Sequence, residues 1–237
     1  MNLPRPQKFV AEVFSKEFLD GAEKFLRISF KTENVVQLCA GQYFSFKING
    51  KGERRSYSVS ANDGNEFDIV VDISPEGIGS EFLKSLEIGQ QVETLGPLGR
   101  FVTDENRRQP KLLFIATGSG IVPLKAMIDD LLLHKRDKRE ITLYWGLRTR
   151  ADIFWLEEFN LLKKKFPNFN FQLCLSKPGE TTDFLEGRVT QWIAGHFDVL
   201  KDHEAYVCGS NEMIADVKVL LKEKGMPLEN FHEEQFF

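Results

Sequence analysis

Cysteine is scarce: Cys39, Cys174 and Cys208 are the only three in 237 residues, and they stand far apart. An odd, scattered set of thiols excludes a disulfide framework and argues against an iron–sulfur cluster or a zinc site within the chain. The cytoplasm is then the default compartment. Cations are not in excess either. The 31 Lys and Arg against 35 Asp and Glu leave a net charge of −4, without the basic footprint of a nucleic-acid binder. No apolar run approaches membrane-spanning length. The opening Met1-Asn2-Leu3-Pro4-Arg5 has no apolar segment of the signal-peptide kind. Internal repeats and low-complexity tracts are absent, and no acid–base dyad or metal-ligand cluster stands out.

What is present reads as a globular chain, 42% hydrophobic and 28% charged, long enough for one large domain or two of ordinary size. Its 21 Phe imply large apolar surfaces to bury, so most of these rings are core. The texture changes once. Residues 7–101 are β-rich: Leu26, Ile28 and Phe30 alternate with polar neighbours, as do Phe44, Phe46 and Ile48 before an Asn49-Gly50 turn. Strand-like runs at 55–60, 67–73 and 91–95 follow, interrupted by one short helix near 80–86. Short strands separated by turns predict a small antiparallel β-barrel. Residues 103–110 are polar and aperiodic, a linker. From Lys111 strands alternate with helices: strands at 112–116, 141–145, 169–175 and 205–208, helices at 123–134, 153–166, 189–194 and 211–224. This predicts a C-terminal α/β domain with a parallel sheet. The division falls at 1–104 and 105–237.

The sharpest local signal is Thr117-Gly118-Ser119-Gly120-Ile121-Val122-Pro123, directly after the apolar run Leu112-Leu113-Phe114-Ile115-Ala116. A strand, a glycine turn and a helix opened by Pro123 aim backbone N–H groups and a helix dipole at one point. An anion fits there, most often a nucleotide pyrophosphate; the plainer alternative is a turn that only joins a strand to a helix. Gly77-Ile78-Gly79-Ser80 makes a second loop-to-helix junction of this kind.

A barrel followed by such a domain resembles the ferredoxin–NADP reductase family, over nearly the whole chain and through ordered motifs. Arg55-Ser56-Tyr57-Ser58 is similar to that family's R-x-Y-S motif. The resemblance implies Arg55 on an FAD pyrophosphate, Tyr57 against the isoalloxazine and Ser58 near flavin N5. Gly77, Gly79 and Ser80 match its G-x-x-S/T loop on the same pyrophosphate, which favours FAD over FMN; Val71, on the intervening strand, is counted with them. Gly96-Pro97-Leu98-Gly99-Arg100-Phe101 resembles a G-P-x-G-x-F segment of mainly structural role. Thr117, Gly118, Gly120 and Pro123 match a G-x-G-x-x-P site for the NAD(P) pyrophosphate. Cys208-Gly209-Ser210-Asn211-Glu212-Met213 resembles a C-G-x-x-x-M segment that places Cys208 against the nicotinamide, with Gly209 and Met213 beside it. Glu234-Gln235-Phe236 resembles an E-x-aromatic ending whose ring covers the flavin, with Phe237 as the other ring to consider.

The family likeness implies hydride transfer between NAD(P)H and FAD, with Ser58, Cys208 and Glu234 at the reacting centre, and single electrons exchanged with a ferredoxin or flavodoxin. No membrane or nucleic-acid partner is implied. For the coenzyme, the second strand runs into Leu147-Arg148-Thr149-Arg150 with no acid before Asp152, so Arg148, Lys177 and Arg188 are candidates for a 2′-phosphate and NADPH is favoured over NADH. Lys51, Arg54 and Lys84 flank the flavin motifs as candidates to meet an acidic partner. Three alternatives stay open: an NAD(P)H:flavin reductase, a reductase component of a multicomponent oxygenase, and a nucleotide-binding regulatory module without turnover.

Overall fold

The computed structural model describes residues 3–19, 22–104, 106, 109–179 and 183–236. The N-terminal part is a closed antiparallel barrel of β1 (Gln7–Leu19), β2 (Ala22–Thr32), β3 (Tyr43–Lys47), β4 (Arg54–Asp63), β5 (Glu66–Asp72) and β6 (Gln91–Leu98), in the order β1-β2-β5-β4-β3-β6. Period-2 alternation turns Leu26, Ile28, Phe30, Phe44, Phe46, Phe67 and Ile69 inward, all buried. Their rings fill the barrel: Phe67 stacks on Phe30 at 5.2 Å and meets Phe44 edge-on at 4.7 Å. β1 is the long strand that alternation alone does not delimit. Its register shifts at Val13/Ser15 and Phe18/Leu19, and each shift swaps the inward and outward faces.

The short helix α1 (Ile78–Ser85) crosses the barrel between β5 and β6. It begins two residues before the 80–86 stretch that its apolar face suggests, because Gly77 is the N-cap.

The C-terminal part is a six-stranded parallel sheet of β7 (Lys111–Thr117), β8 (Glu140–Leu147), β9 (Phe169–Leu175), β10 (Leu185–Glu186), β11 (His203–Gly209) and β12 (Phe231–Gln235). The order is β10-β9-β8-β7-β11-β12. Helices cover both faces: α2 (Ile121–Asp129) and α3 (Leu156–Lys165) on one, α4 (Val189–His196) and α5 (Asn211–Glu223) on the other. Along β7, Leu112, Phe114 and Ala116 join the first core and Leu113 and Ile115 the second. Two-sided burial is why these strands read as continuous apolar runs.

Three details depart from the sequence reading. The 123–134 helix is part of a longer run that starts earlier: a 3₁₀ turn (Gly118–Gly120), α2, and a π-wound last turn (Asp130–His134). The 153–166 helix starts only at Leu156, since Trp155 takes left-handed backbone angles (φ 56°). The tail is a full sheet strand, β12, and a two-residue β10 adds the opposite edge.

The barrel seats on the α2/α3 face. Leu19, Phe25, Val70 and Phe101 belong to that core, and Phe25 packs on Phe154 at 4.3 Å. Among the described residues, no helix is long and apolar enough to cross a membrane.

Candidate active site

The flavin motifs meet through one missing side chain. Arg55 and Tyr57 lie on β4, and the first turn of α1 rests on them at Gly79. A Cβ there would come within 2.5 Å of the Tyr57 hydroxyl and 3.2 Å of the Arg55 chain. The segments 55–58 and 77–80 thus share one surface. Arg55 is exposed, its Nη1 donating to the Arg54 carbonyl at 2.8 Å. No side chain caps the helix start, and Ser80 is half-buried in the first turn. A guanidinium, a hydroxyl and uncapped amides form a donor set suited to an anionic diphosphate, and the residues present fit that group. Burial pushes the Tyr57 phenol up to about 12, so it stays protonated. Val71 is half-buried on β5 against the barrel core.

The second site lies where the sheet order reverses, between β7 and β11, at the carboxyl ends of the strands. Gly118 has φ +55°, with open space where a side chain would project; its carbonyl accepts from the Trp145 indole at 3.0 Å. Gly120 packs directly on β11: a Cβ there would run into the Cys208 carbonyl. Gly209 (φ +150°) lies in the same way against Thr117, whose Oγ1 accepts from the Ser210 N–H at 3.4 Å. The two glycine motifs, about ninety residues apart, are therefore one interlocked turn.

Beside them opens a cleft of about 500 Å³ lined by Thr117 and Gly118, by Arg148 after β8, by Lys177 after β9, by Arg188 before α4, and by Met213 on α5. The three proposed phosphate cations thus line one cleft, together with Asp152, Glu212 and Asp216. Gly120, Gly209 and Pro123 are not in its lining; Pro123 is buried within α2. Uncapped amides at the Gly118 turn and a cleft lined by cations fit a dinucleotide.

Between the two sites, the tail brings the remaining candidates together. β12 pairs in parallel with β11, setting Glu234 opposite Cys208. The Ser58 hydroxyl lies 3.5 Å from Glu234 Oε2, a long hydrogen bond between barrel and tail. Burial pushes the Glu234 carboxyl up to about 7, opposed by the Ser58 contact. Cys208 is fully buried, and that burial, then the Glu234 carboxylate, raises its thiol well above the ordinary value. It is a neutral thiol. Phe236 donates its N–H to the Gly209 carbonyl at 3.2 Å and packs against the α2 core. Phe237 lies outside the described residues.

One participant had no motif of its own. Tyr43, opposite Ser58 on β3, presses its ring on Gly99 (φ +96°), and a Cβ at Gly99 would stand 2.9 Å from that ring and 3.8 Å from Glu234. The signal was Gly99 itself, inside a segment read as mainly structural. Of the surface cations, Arg54 is paired with Glu93 at 3.0 Å and Lys84 with Glu81 at 2.9 Å, while Lys51 is exposed.

Comparison with known proteins agrees with this geometry. The family description "Oxidoreductase FAD-binding domain" matches residues 11–103, and "Oxidoreductase NAD-binding domain" matches residues 114–219. Reductase component 1 of terephthalate 1,2-dioxygenase from Comamonas sp is 30% identical over 234 residues, 97% of this chain and 68% of that protein. A cytochrome P450 reductase from Amycolatopsis superposes with a TM-score of 0.89 at 26% identity, over 99% of this chain and 71% of that one. A ferredoxin NADP+ reductase from Neisseria gonorrhoeae, with bound FAD and NADP, shares the fold (TM-score 0.84, 17% identity, 97% and 99% of the two chains). The chain belongs to the ferredoxin–NADP reductase family and is an FAD- and NAD-binding oxidoreductase.

Proposed function

We propose that this chain couples NADPH to a one-electron carrier protein, a ferredoxin or flavodoxin, through FAD held on the barrel. When bound, the two cofactors supply the redox chemistry: a hydride passes between nicotinamide and flavin, and electrons leave the flavin one at a time. The observation that carries the reading is the meeting of Ser58, Cys208 and Glu234 at the seam between the two anion sites.

Arg55, the amides at Gly77 and Gly79, and the Ser80 hydroxyl hold the FAD diphosphate. Tyr57 and Val71 pack against its flavin end, and Ser58 offers a hydrogen bond beside N5. Thr117, Gly118 and the turn braced by Gly120 and Pro123 hold the second diphosphate. Gly209 and Met213 border the nicotinamide end, where Cys208 and Glu234 shape a pocket that excludes water and keeps donor and acceptor in line. Arg148, Lys177 and Arg188 bind the 2′-phosphate. Phe236 covers the flavin face and moves aside for nicotinamide, a gating step of the kind that limits many turnovers. The division at residue 104 separates the two cofactor-binding units, and a chain with only three scattered cysteines suits the cytoplasm.

Anaerobic stopped-flow absorbance of the flavin-loaded protein, mixed separately with NADPH and NADH, tests this. Rapid bleaching, faster with NADPH, is expected. A protein that takes up no flavin sinks the barrel assignment, and one that holds flavin neither coenzyme reduces is a non-catalytic module. A second reading is supported by the Comamonas relative, named as a dioxygenase reductase component: the acceptor is then an oxygenase or its iron–sulfur protein on another chain. Electron delivery to a purified ferredoxin, against release of reduced free flavin, separates both from a flavin reductase.

A further inference from the structure

We propose that Lys24, a barrel residue, is a specificity-determining residue of the dinucleotide cleft: by masking Asp152 it tilts the cleft towards a coenzyme whose adenosine ribose carries a phosphate. The inference rests on the dinucleotide reading of that cleft given above.

Asp152 ends the 3₁₀ turn Arg150–Asp152 that follows β8. In nucleotide-binding sheets an acid at the end of the second strand accepts from ribose hydroxyls and repels a 2′-phosphate. Here Asp152 lines the cleft, yet both its oxygens are engaged by protein. Oδ2 accepts from the Thr149 N–H at 2.8 Å and the Thr149 hydroxyl at 3.0 Å. Oδ1 lies 2.7 Å from Lys24 Nζ, which reaches across from β2.

Lys24 is held there by packing: its ammonium sits 5.1 Å from the Phe25 ring centroid, and Phe25 is clamped on Phe154 at 4.3 Å. A third of its side chain stays exposed, and it lines the cleft with Arg148, Lys177 and Arg188. An ammonium has three donors, so one bond to Asp152 leaves others for a ligand oxygen. The pair removes a carboxylate that would bind a free 2′-hydroxyl and turns a cation towards the position a 2′-phosphate would occupy. A pair that only fastened the two parts together would change stability, and both kinds of ligand alike.

The test is calorimetric titration of the flavin-loaded full chain with 2′,5′-ADP and with 5′-AMP, for wild type, Lys24→Met and Asp152→Asn. Lys24→Met is expected to lower the ratio of the two affinities by roughly tenfold, the scale of one charge-assisted contact. Asp152→Asn, which leaves Lys24 in place and keeps an acceptor for Thr149, is expected to raise it. A ratio unchanged in both variants, or an equal weakening of both ligands, overturns the proposal. The wild-type ratio by itself tests the 2′-phosphate role of Arg148, Lys177 and Arg188; Lys24 is judged by the change between variants, whatever the starting preference.

Discussion

The molecule builds two glycine-rich helix starts without side-chain caps, one at Gly77–Ser80 on the barrel and one at Gly118–Gly120 on the sheet, and their glycines are there for different reasons. Gly79 lies inside a helix with room demanded by the tip of a tyrosine and the stem of an arginine. Gly120 has ordinary helical angles (φ −59°, ψ −13°), so conformation does not require it; the backbone of Cys208 and Gly209 does. Gly118 is the reverse, with open space around it and a positive φ that other residues resist. Similar motif spellings thus conceal a side-chain contact, a backbone contact and a torsional demand. The side-chain contact can give way, since Tyr57 can move. The backbone contact cannot, because β11 is fixed by pairing on both sides, between β7 and β12.

Gly120→Ala breaks the comparison hardest. The added methyl must force the turn off β11 or displace β11 from β7, and overpacking against backbone costs about 3 kcal/mol or more. A large drop in thermal midpoint is expected, with loss of nicotinamide coenzyme binding even in molecules that remain folded. A variant with unchanged melting and coenzyme affinity would mean that this contact is not rigid.

Gly79→Ala should behave oppositely. Alanine gains up to about 1 kcal/mol of helix propensity over glycine, and the displaced Tyr57 hydroxyl gives back a similar amount. Melting should therefore shift little, while FAD affinity, followed by flavin fluorescence, falls about tenfold because Arg55 and Tyr57 are pushed apart from the helix start. Little change in affinity together with a large fall in stability would show that this junction is structural and that the two turns are alike after all.

Most of the architecture was legible because period fixes it: alternating Leu26, Ile28 and Phe30 mark one barrel wall, and the run at 112–116 marks a strand buried on both faces. β1 blurred because two register shifts break its alternation. β12 was missed as a strand because Phe231-His232-Glu233-Glu234-Gln235 carries little apolar signal, and parallel pairing to β11 comes from tertiary packing alone. The motif residues on each turn could be found in the sequence. The contacts joining elements could not: nothing local in Lys24, Tyr43 or Asp152 announces a partner on another element.

Glu234 sharpens the comparison at the place where both sites end. Its carboxyl is raised to about 7 from an ordinary 4.5, chiefly by burial. Below pH 4.5 it is protonated in folded and unfolded chains alike, and its neutral form fits the seam without penalty. Between 4.5 and about 7 the unfolded chain releases the proton while the folded one retains it, so stability falls as pH rises through that window. Above it the folded carboxyl has ionised too, and the loss levels off. Partial exposure holds the effect to on the order of 1 kcal/mol. Glu234→Gln keeps the shape and cannot titrate. Melting curves of the variant should therefore lack this component of the wild-type pH dependence, with its largest gain over wild type on the alkaline side. The two glycine turns carry no titrating group of their own, so Gly79→Ala should leave the same component in place. If Glu234→Gln and wild type instead show parallel pH profiles, the carboxylate is already ionised in the folded protein, and Ser58 with Cys208 faces a charge at the seam rather than a proton donor.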